Sequence, residues 1–149
     1  MILKNNQKIP LDKFINKALY DASKGYYMYK NPIGNKGDFI TAPNISIMFS
    51  EMITVWLISF WKKMNYPKKI NIIELGAGNG EMMHQIQKTI NNFNDFKLSS
   101  RFYICEKSPY LKKIQKDKLQ NYNVKWLNNL KKLPKNPSIF LANEFFDAL

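Results

Sequence analysis

Two residue types are nearly missing from this chain. It has one cysteine, Cys105, and one histidine, His84, in 149 residues. A single thiol excludes an internal disulfide, and a reducing compartment is the simple inference. One imidazole and one thiol cannot supply the ligand sets that hold zinc, so no metal centre is expected. Acidic residues are also scarce: 11 Asp and Glu stand against 23 Lys and Arg, a formal net charge of +12. Such an excess suits nucleic acid or an anionic membrane surface. Lysine, asparagine and isoleucine are abundant along the whole chain, however, so the charge reads as general bias and nucleic acid is not the expected partner. Residues 1–10 lack the apolar centre of a secretory signal. A membrane span needs roughly 20 apolar residues. The most apolar stretch, 45–64, is interrupted by Ser46, Ser50, Glu51, Thr54 and Ser59. A carboxylate in mid-span costs about 2.5–3.5 kcal/mol on insertion scales. The stretch is therefore expected to be a core helix lying between a sheet and another layer, with Trp56, Phe60 and Trp61 as packing residues.

The composition that is present, 45% hydrophobic and 14% aromatic, is that of a globular chain of one domain at most. Near the start, Leu11, Phe14, Ile15, Ala18 and Leu19 share one stripe, which predicts a helix over Asp12 to Tyr20 that Gly25 closes off. Tyr26 to Pro43 mixes prolines and glycines with aromatics and reads as an ordered loop, not a helix. Within it Asp38 is a capping candidate, and Thr41 can open the next helix.

The most informative stretch is INIIELGAGNGE, residues 70–81. Ile70, Ile72 and Ile73 read as a buried strand. Gly76, Gly78 and Gly80 follow at alternate positions, and Met82, Met83, Ile86 and Ile90 then fall at helical spacing. A strand, a bare glycine turn and a helix N-terminus make a ligand-binding corner. The spacing is not that of a dinucleotide site, because Glu81 stands where a third glycine is needed. No Gly-Lys-Ser/Thr follows, so a phosphate loop is excluded as well. The alternative is a tight turn that binds nothing. His84, inside the following helix, reads as a helix-face residue and not as a base.

Further along, residues 91–100 read as a loop and Arg101 to Glu106 as the second strand. Glu106 stands at that strand's tip, where a Rossmann-type fold holds ribose hydroxyls and where a carboxylate offers paired acceptors. Ser108 and Pro109 read as a cap and first helical residue, before a helix over Tyr110 to Leu119 with Leu111, Ile114 and Leu119 inward. Val124 to Leu127 is a third strand. A polar connection, Leu130 to Pro137, leads to a fourth, Ser138 to Ala142. Strand ends at the carboxyl edge of a parallel sheet face the ligand crevice. Asn143, Glu144 and Asp147 are therefore candidate active-site polars, a plain polar turn being the alternative.

Glu74, Gly76, Gly78 and Gly80 together resemble the first motif of class I S-adenosylmethionine-dependent methyltransferases. The stretches GYYMYK, KGDFITAPNISIMFSEMITVW, IIELGAGNGE, YICEKSP and FLANEFFDAL resemble the MidA-like family, which includes a mitochondrial complex I assembly factor acting as a protein arginine methyltransferase. The resemblance implies an α/β, Rossmann-like fold with a parallel sheet of order 3-2-1-4. N-terminal helices would form a cap region over 1–66, and a cofactor-binding half-domain would occupy 67–149. It implies S-adenosyl-L-methionine as cofactor, lying over Glu74, Gly76, Gly78 and Gly80 with its ribose on Glu106. Leu127 or Asn128 would lie near the adenine, and the loop from Gly37 through Asp38 to Thr41 would close over the site. The substrate implied is a protein arginine side chain, oriented by Glu144 and Asp147. Adenine-N6 and glutamine methyltransferases carry Asn/Asp-Pro-Pro-aromatic after the fourth strand, and Asn143-Glu144-Phe145-Phe146 lacks those prolines.

Family members are longer, so the chain corresponds to their N-terminal part, truncated after the fourth strand. Alone it is expected to be inactive, and a second chain supplying the remainder is a candidate partner. A non-catalytic remnant or assembly protein that keeps the fold, and an RNA methyltransferase, are the other readings. The location implied is cytoplasmic, or the mitochondrial matrix.

Overall fold

The computed structural model describes residues 8–30, 32–34 and 37–148. At its centre lies β1, Ile70–Leu75, whose Ile70, Ile72 and Ile73 are fully buried. Strand β1 pairs in parallel with β2, Ser100–Cys105, from Ile70 opposite Ser100 to Leu75 opposite Cys105. Beyond β2 lies β3, Val124–Leu127, and on the other side of β1 lies β4, Ser138–Leu141. The order β3-β2-β1-β4 with every pairing parallel is the expected Rossmann-like half-sheet. The strand order reverses between β1 and β4, and in such sheets the crevice outside the strand ends at that switch is where ligands bind.

Helices flank the sheet in the order the sequence suggests. The first, α1, spans Leu11–Tyr20. The stretch Tyr26 to Pro43, expected to be an ordered loop and not a helix, opens with a short helix, α2 (Tyr26–Tyr29), and another, α3 (Ala42–Ile45), begins at its end and runs past Pro43. Both start where a cap is natural, at Gly25 and at Thr41-Ala42-Pro43, and each is a single turn. Next comes α4, Ile47–Lys63, leading to β1. Helix α5, Glu81–Thr89, buries Met82, Met83 and Ile86 beneath the sheet together with Leu57, Ile58 and Trp61 of α4. Burying each such side chain contributes about 1.5–3 kcal/mol.

The structure corrects three further readings. Helix α4 is buried on one face only: Ser50, Thr54, Leu57, Ile58 and Trp61 point inward, while Met48, Met52, Val55, Trp56 and Phe60 are exposed. Trp56 and Phe60 are therefore surface residues, packed on each other with ring centroids 4.6 Å apart. Trp61 alone of the three belongs to the core. Residues 91–100 are not a loop: they hold a 3-10 turn, Ile90–Asn92, and α6, Asn94–Ser99. One aromatic anchors α6, since Phe96 is buried and meets Trp61 at 5.6 Å. Finally α7, Pro109–Lys118, is capped by Ser108 as expected, but its third inward residue is Gln115 and not Ile114, which is half-buried.

A buried polar residue fixes the start of the sheet. Asn71 on β1 is fully buried, and its amide donates to the Pro134 carbonyl at 2.8 Å and to Ser138 Oγ at 3.1 Å. The loop into β4 is thereby tied to the central strand, and the buried amide keeps the partners that burial demands.

Candidate functional site

The corner after β1 is built from backbone that only glycine adopts cheaply. Gly76 has φ 62° and Gly78 φ 54°. A Cβ on Gly76 would stand 2.5 Å from the Phe145 ring, and one on Gly78 2.7 Å from Ile33 Cδ1. Gly80, at the N-cap of α5, gives that helix no side-chain cap. Its place is taken by Asn79, whose Oδ1 accepts from the Glu81 N–H at 3.2 Å. The Asn79 amide donates to Asn44 Oδ1 at 2.7 Å, and the Asn44 amide donates to Thr41 Oγ1 at 2.9 Å. This chain of side-chain bonds ties the segment before α4 to the glycine corner. Asn44 and Asn79 were not singled out in the sequence, because neither carries charge or periodicity.

Above the corner lies a cavity of about 310 Å³ between the ends of β1 and β4. Its lining includes Glu74, Gly76, Gly78, Thr41, Asn143, Glu144 and Asp147. Seven of the sequence candidates thus meet at one opening. Tyr27, Ile33 and Phe39 add an apolar rim from the N-terminal segment. Gly37 and Asp38 are not among the lining residues. Asp38 is exposed and accepts from Tyr26 Oη and Lys30 Nζ, which fastens the strap 37–39 to α2 and holds the Asp38 carboxyl below the usual range.

Glu74 is the site's electrostatic anomaly. It is 4% exposed, and its Oε2 has no hydrogen-bond partner. Burial first, and the neighbouring Glu106 charge second, push its pKa up to about 8, against the pull of the Met83 N–H. A carboxylate left unpaired at a cavity floor is costly unless it stays protonated or meets a cation.

Glu106 follows β2 and does not line the cavity, but it is wired to it. Its Oε1 accepts from the Ser108 N–H at 2.8 Å and its Oε2 from the Gln115 amide at 3.0 Å. Burial raises its pKa, while these donors oppose the rise. Gln115 also donates to the Gly78 carbonyl at 2.9 Å. Ser108 Oγ donates to the Tyr27 carbonyl at 2.5 Å, so the N-terminal segment is pinned to α7 as well. His84 lies on α5, 28% exposed beside Glu81, as a helix-face residue. Among the described residues no group of three His, Cys, Asp or Glu could hold a metal, and no helix is long and apolar enough to cross a membrane.

These residues fit S-adenosylmethionine on chemical grounds. The cofactor carries a cationic sulfonium and an ammonium but no phosphate. An unpaired buried carboxylate, two bare glycines and a second carboxylate with free lone pairs suit those groups and a ribose. Comparison with known proteins agrees. Residues 52–149 match the family described as "Putative S-adenosyl-L-methionine-dependent methyltransferase". The chain is 33% identical, over 164 residues, to the mitochondrial protein arginine methyltransferase NDUFAF7 homologue of Drosophila melanogaster; the match covers 95% of this chain and 37% of that protein. It is 29% identical over 171 residues to the human mitochondrial protein arginine methyltransferase NDUFAF7, covering 99% of this chain and 39% of that one. Its fold matches a "likely methyl transferase" from Burkholderia thailandensis, crystallised with S-adenosyl-homocysteine, at a TM-score of 0.72 and 20% identity, over 89% of this chain and 36% of that one. The chain thus spans less than half the length of these relatives.

Proposed function

The chain belongs to this family of S-adenosyl-L-methionine-dependent methyltransferases, and from that premise we propose that it is the cofactor-binding part of a protein arginine methyltransferase. The observation that carries the reading is the unpaired Glu74 Oε2 beneath the glycine corner. Glu74 would face the cofactor's cationic end, and Gly76, Gly78 and Gly80 would let its methionine part lie against bare backbone. Glu106 would accept the ribose hydroxyls. Thr41, with Gly37 and Asp38 in the strap before it, would close the mouth.

When bound, the cofactor supplies an already activated sulfonium methyl. The protein's task is then to place a nucleophile in line, and such positioning lowers barriers by roughly 7–11 kcal/mol in favourable cases. An arginine guanidinium is cationic and donor-only. Glu144 and Asp147, on the same cavity as Glu74, would orient it and offset its charge, with Asn143 holding Glu144 through a 3.4 Å contact. The protein arginine methyltransferases among its relatives support the substrate class, and their mitochondrial naming supports a mitochondrial over a cytoplasmic location.

Calorimetric titration with S-adenosylmethionine and S-adenosylhomocysteine tests the reading. Saturable binding is expected for the wild type. Glu106→Ala should weaken it by about 1.5–3 kcal/mol, the worth of hydrogen bonds to a charged group. A folded chain that gives no binding heat, or an Ala variant that binds as wild type does, would contradict the assignment.

A further inference from the structure

Gln115 is fully buried at the middle of α7, yet it is polar and makes three side-chain hydrogen bonds. Its Oε1 accepts from Trp126 Nε1 on β3 at 2.9 Å. An indole N–H can only donate, so the atom facing it must be the amide oxygen. The NH₂ group is thereby turned the other way, toward two acceptors at once: the Gly78 carbonyl at 2.9 Å and Glu106 Oε2 at 3.0 Å. Both amide hydrogens are used. No other uncharged side chain of this size donates two hydrogen bonds while accepting a third.

The consequence lies at Glu106. Oε1 accepts from the Ser108 N–H and Oε2 from Gln115, and the Lys107 N–H also favours the carboxylate. A carboxylate has about four acceptor sites, so capacity remains to accept from ribose hydroxyls. The Ser108 and Lys107 N–H groups hold the carboxylate only from its own turn. The Gln115 bond is the one that comes from another element, and it links the carboxylate to the backbone of the glycine corner. Packing alone would not select a glutamine here, because the stripe positions on either side, Leu111 and Leu119, are aliphatic and equally buried.

We infer that Gln115 is a positioning residue: oriented by Trp126, it presets the Glu106 carboxylate to receive the cofactor's two ribose hydroxyls and locks that carboxylate to the Gly78 turn. The inference rests on the cofactor reading above.

Equilibrium binding of S-adenosylhomocysteine and of its 2′,3′-dideoxy analogue separates positioning from bulk structure. Gln115→Met keeps length and volume but removes both donors. It should weaken binding of S-adenosylhomocysteine by about tenfold or more, while the dideoxy analogue, having no hydroxyls to place, stays within about threefold of wild type. Adding Glu106→Ala to Gln115→Met should cost little beyond Glu106→Ala alone, since the two act as one unit. If Gln115→Met fails to fold, Gln115→Leu, the side chain already buried on the same stripe at Leu111 and Leu119, carries the same comparison. Equal losses for both ligands, no loss for either, or additive double-variant effects would overturn the inference while leaving the cofactor reading standing. Absence of binding by the wild type would instead overturn the cofactor reading, and the inference with it.

Discussion

Valine in place of Gly78 should abolish cofactor binding in a chain that still folds. Gly78 has φ 54°, a region that costs an L-residue about 1–2 kcal/mol. Its Cβ position lies 2.7 Å from Ile33 Cδ1, the far end of a flexible side chain, so the fold can adjust by moving Ile33. The ligand has no such escape. Gly78 lines the cavity, and the γ-methyls of valine would occupy the space over its backbone. The strain also disturbs the Gly78 carbonyl that Gln115 holds. The expected outcome is an affinity for S-adenosylhomocysteine reduced at least 100-fold, about 2.7 kcal/mol or more, with a circular dichroism spectrum like wild type. A valine variant that binds within a few fold of wild type would show that the ligand does not pass over this turn.

Stability should fall as pH rises from about 5 to 8, and Glu74 should be the reason. Burial holds its folded pKa near 8, well above its ordinary value. Below pH 4.5 the carboxyl is protonated in both states and contributes nothing to the pH dependence. Between that value and 8 the unfolded chain gives up the proton and the folded chain keeps it, so each pH unit favours unfolding by up to about 1.4 kcal/mol. Above 8 both states are ionised and the effect levels off. Burial also raises Glu106, which adds a slope of the same sign. The groups held below their usual range, Asp21, Asp38 and Glu81, act the opposite way and only at the acid end, below about pH 4.5. Denaturant unfolding at pH 5 and pH 8 should show the wild type losing on the order of 1–4 kcal/mol more than Glu74→Gln across the window. Equal slopes for the two proteins would mean that Glu74 is solvated or paired and not the orphan described here.

How much of this was legible beforehand depended on the kind of signal. The four strands, the glycine corner, and the helices after β1 and β2 came from hydrophobic period and from residues with one strong backbone preference, such as Gly76, Ser108 and Pro109. The outer face of α4 is not legible in the sequence, because composition counts apolar residues without saying which are covered. Met48, Met52, Trp56 and Phe60 look like core by type, and only the packing of Leu57 and Trp61 decides the buried side. Helix α6 leaves no trace in the sequence pattern, because a polar segment with one anchoring aromatic, Phe96, has no hydrophobic period. The cavity's polar residues could be named from strand ends, since a parallel sheet sends those ends to one crevice. Gln115 does carry a signal in the sequence: it sits four residues from both Leu111 and Leu119, squarely on the buried stripe of α7. A glutamine at such a position needs hydrogen-bond partners, and asking for them would have pointed to Glu106 and the glycine turn. The charge state of Glu74 was not legible, because it arises from burial by neighbours distant in sequence.

Hydrogen–deuterium exchange with and without S-adenosylhomocysteine tests most directly whether the crevice between β1 and β4 is a cofactor site. Slowed exchange is expected in two separate segments, the glycine corner over residues 75–82 and the end of β2 over residues 105–108, with the outer face of α4 unchanged. Slowed exchange confined elsewhere, or none at ligand concentrations that saturate a methyltransferase relative, would contradict the account.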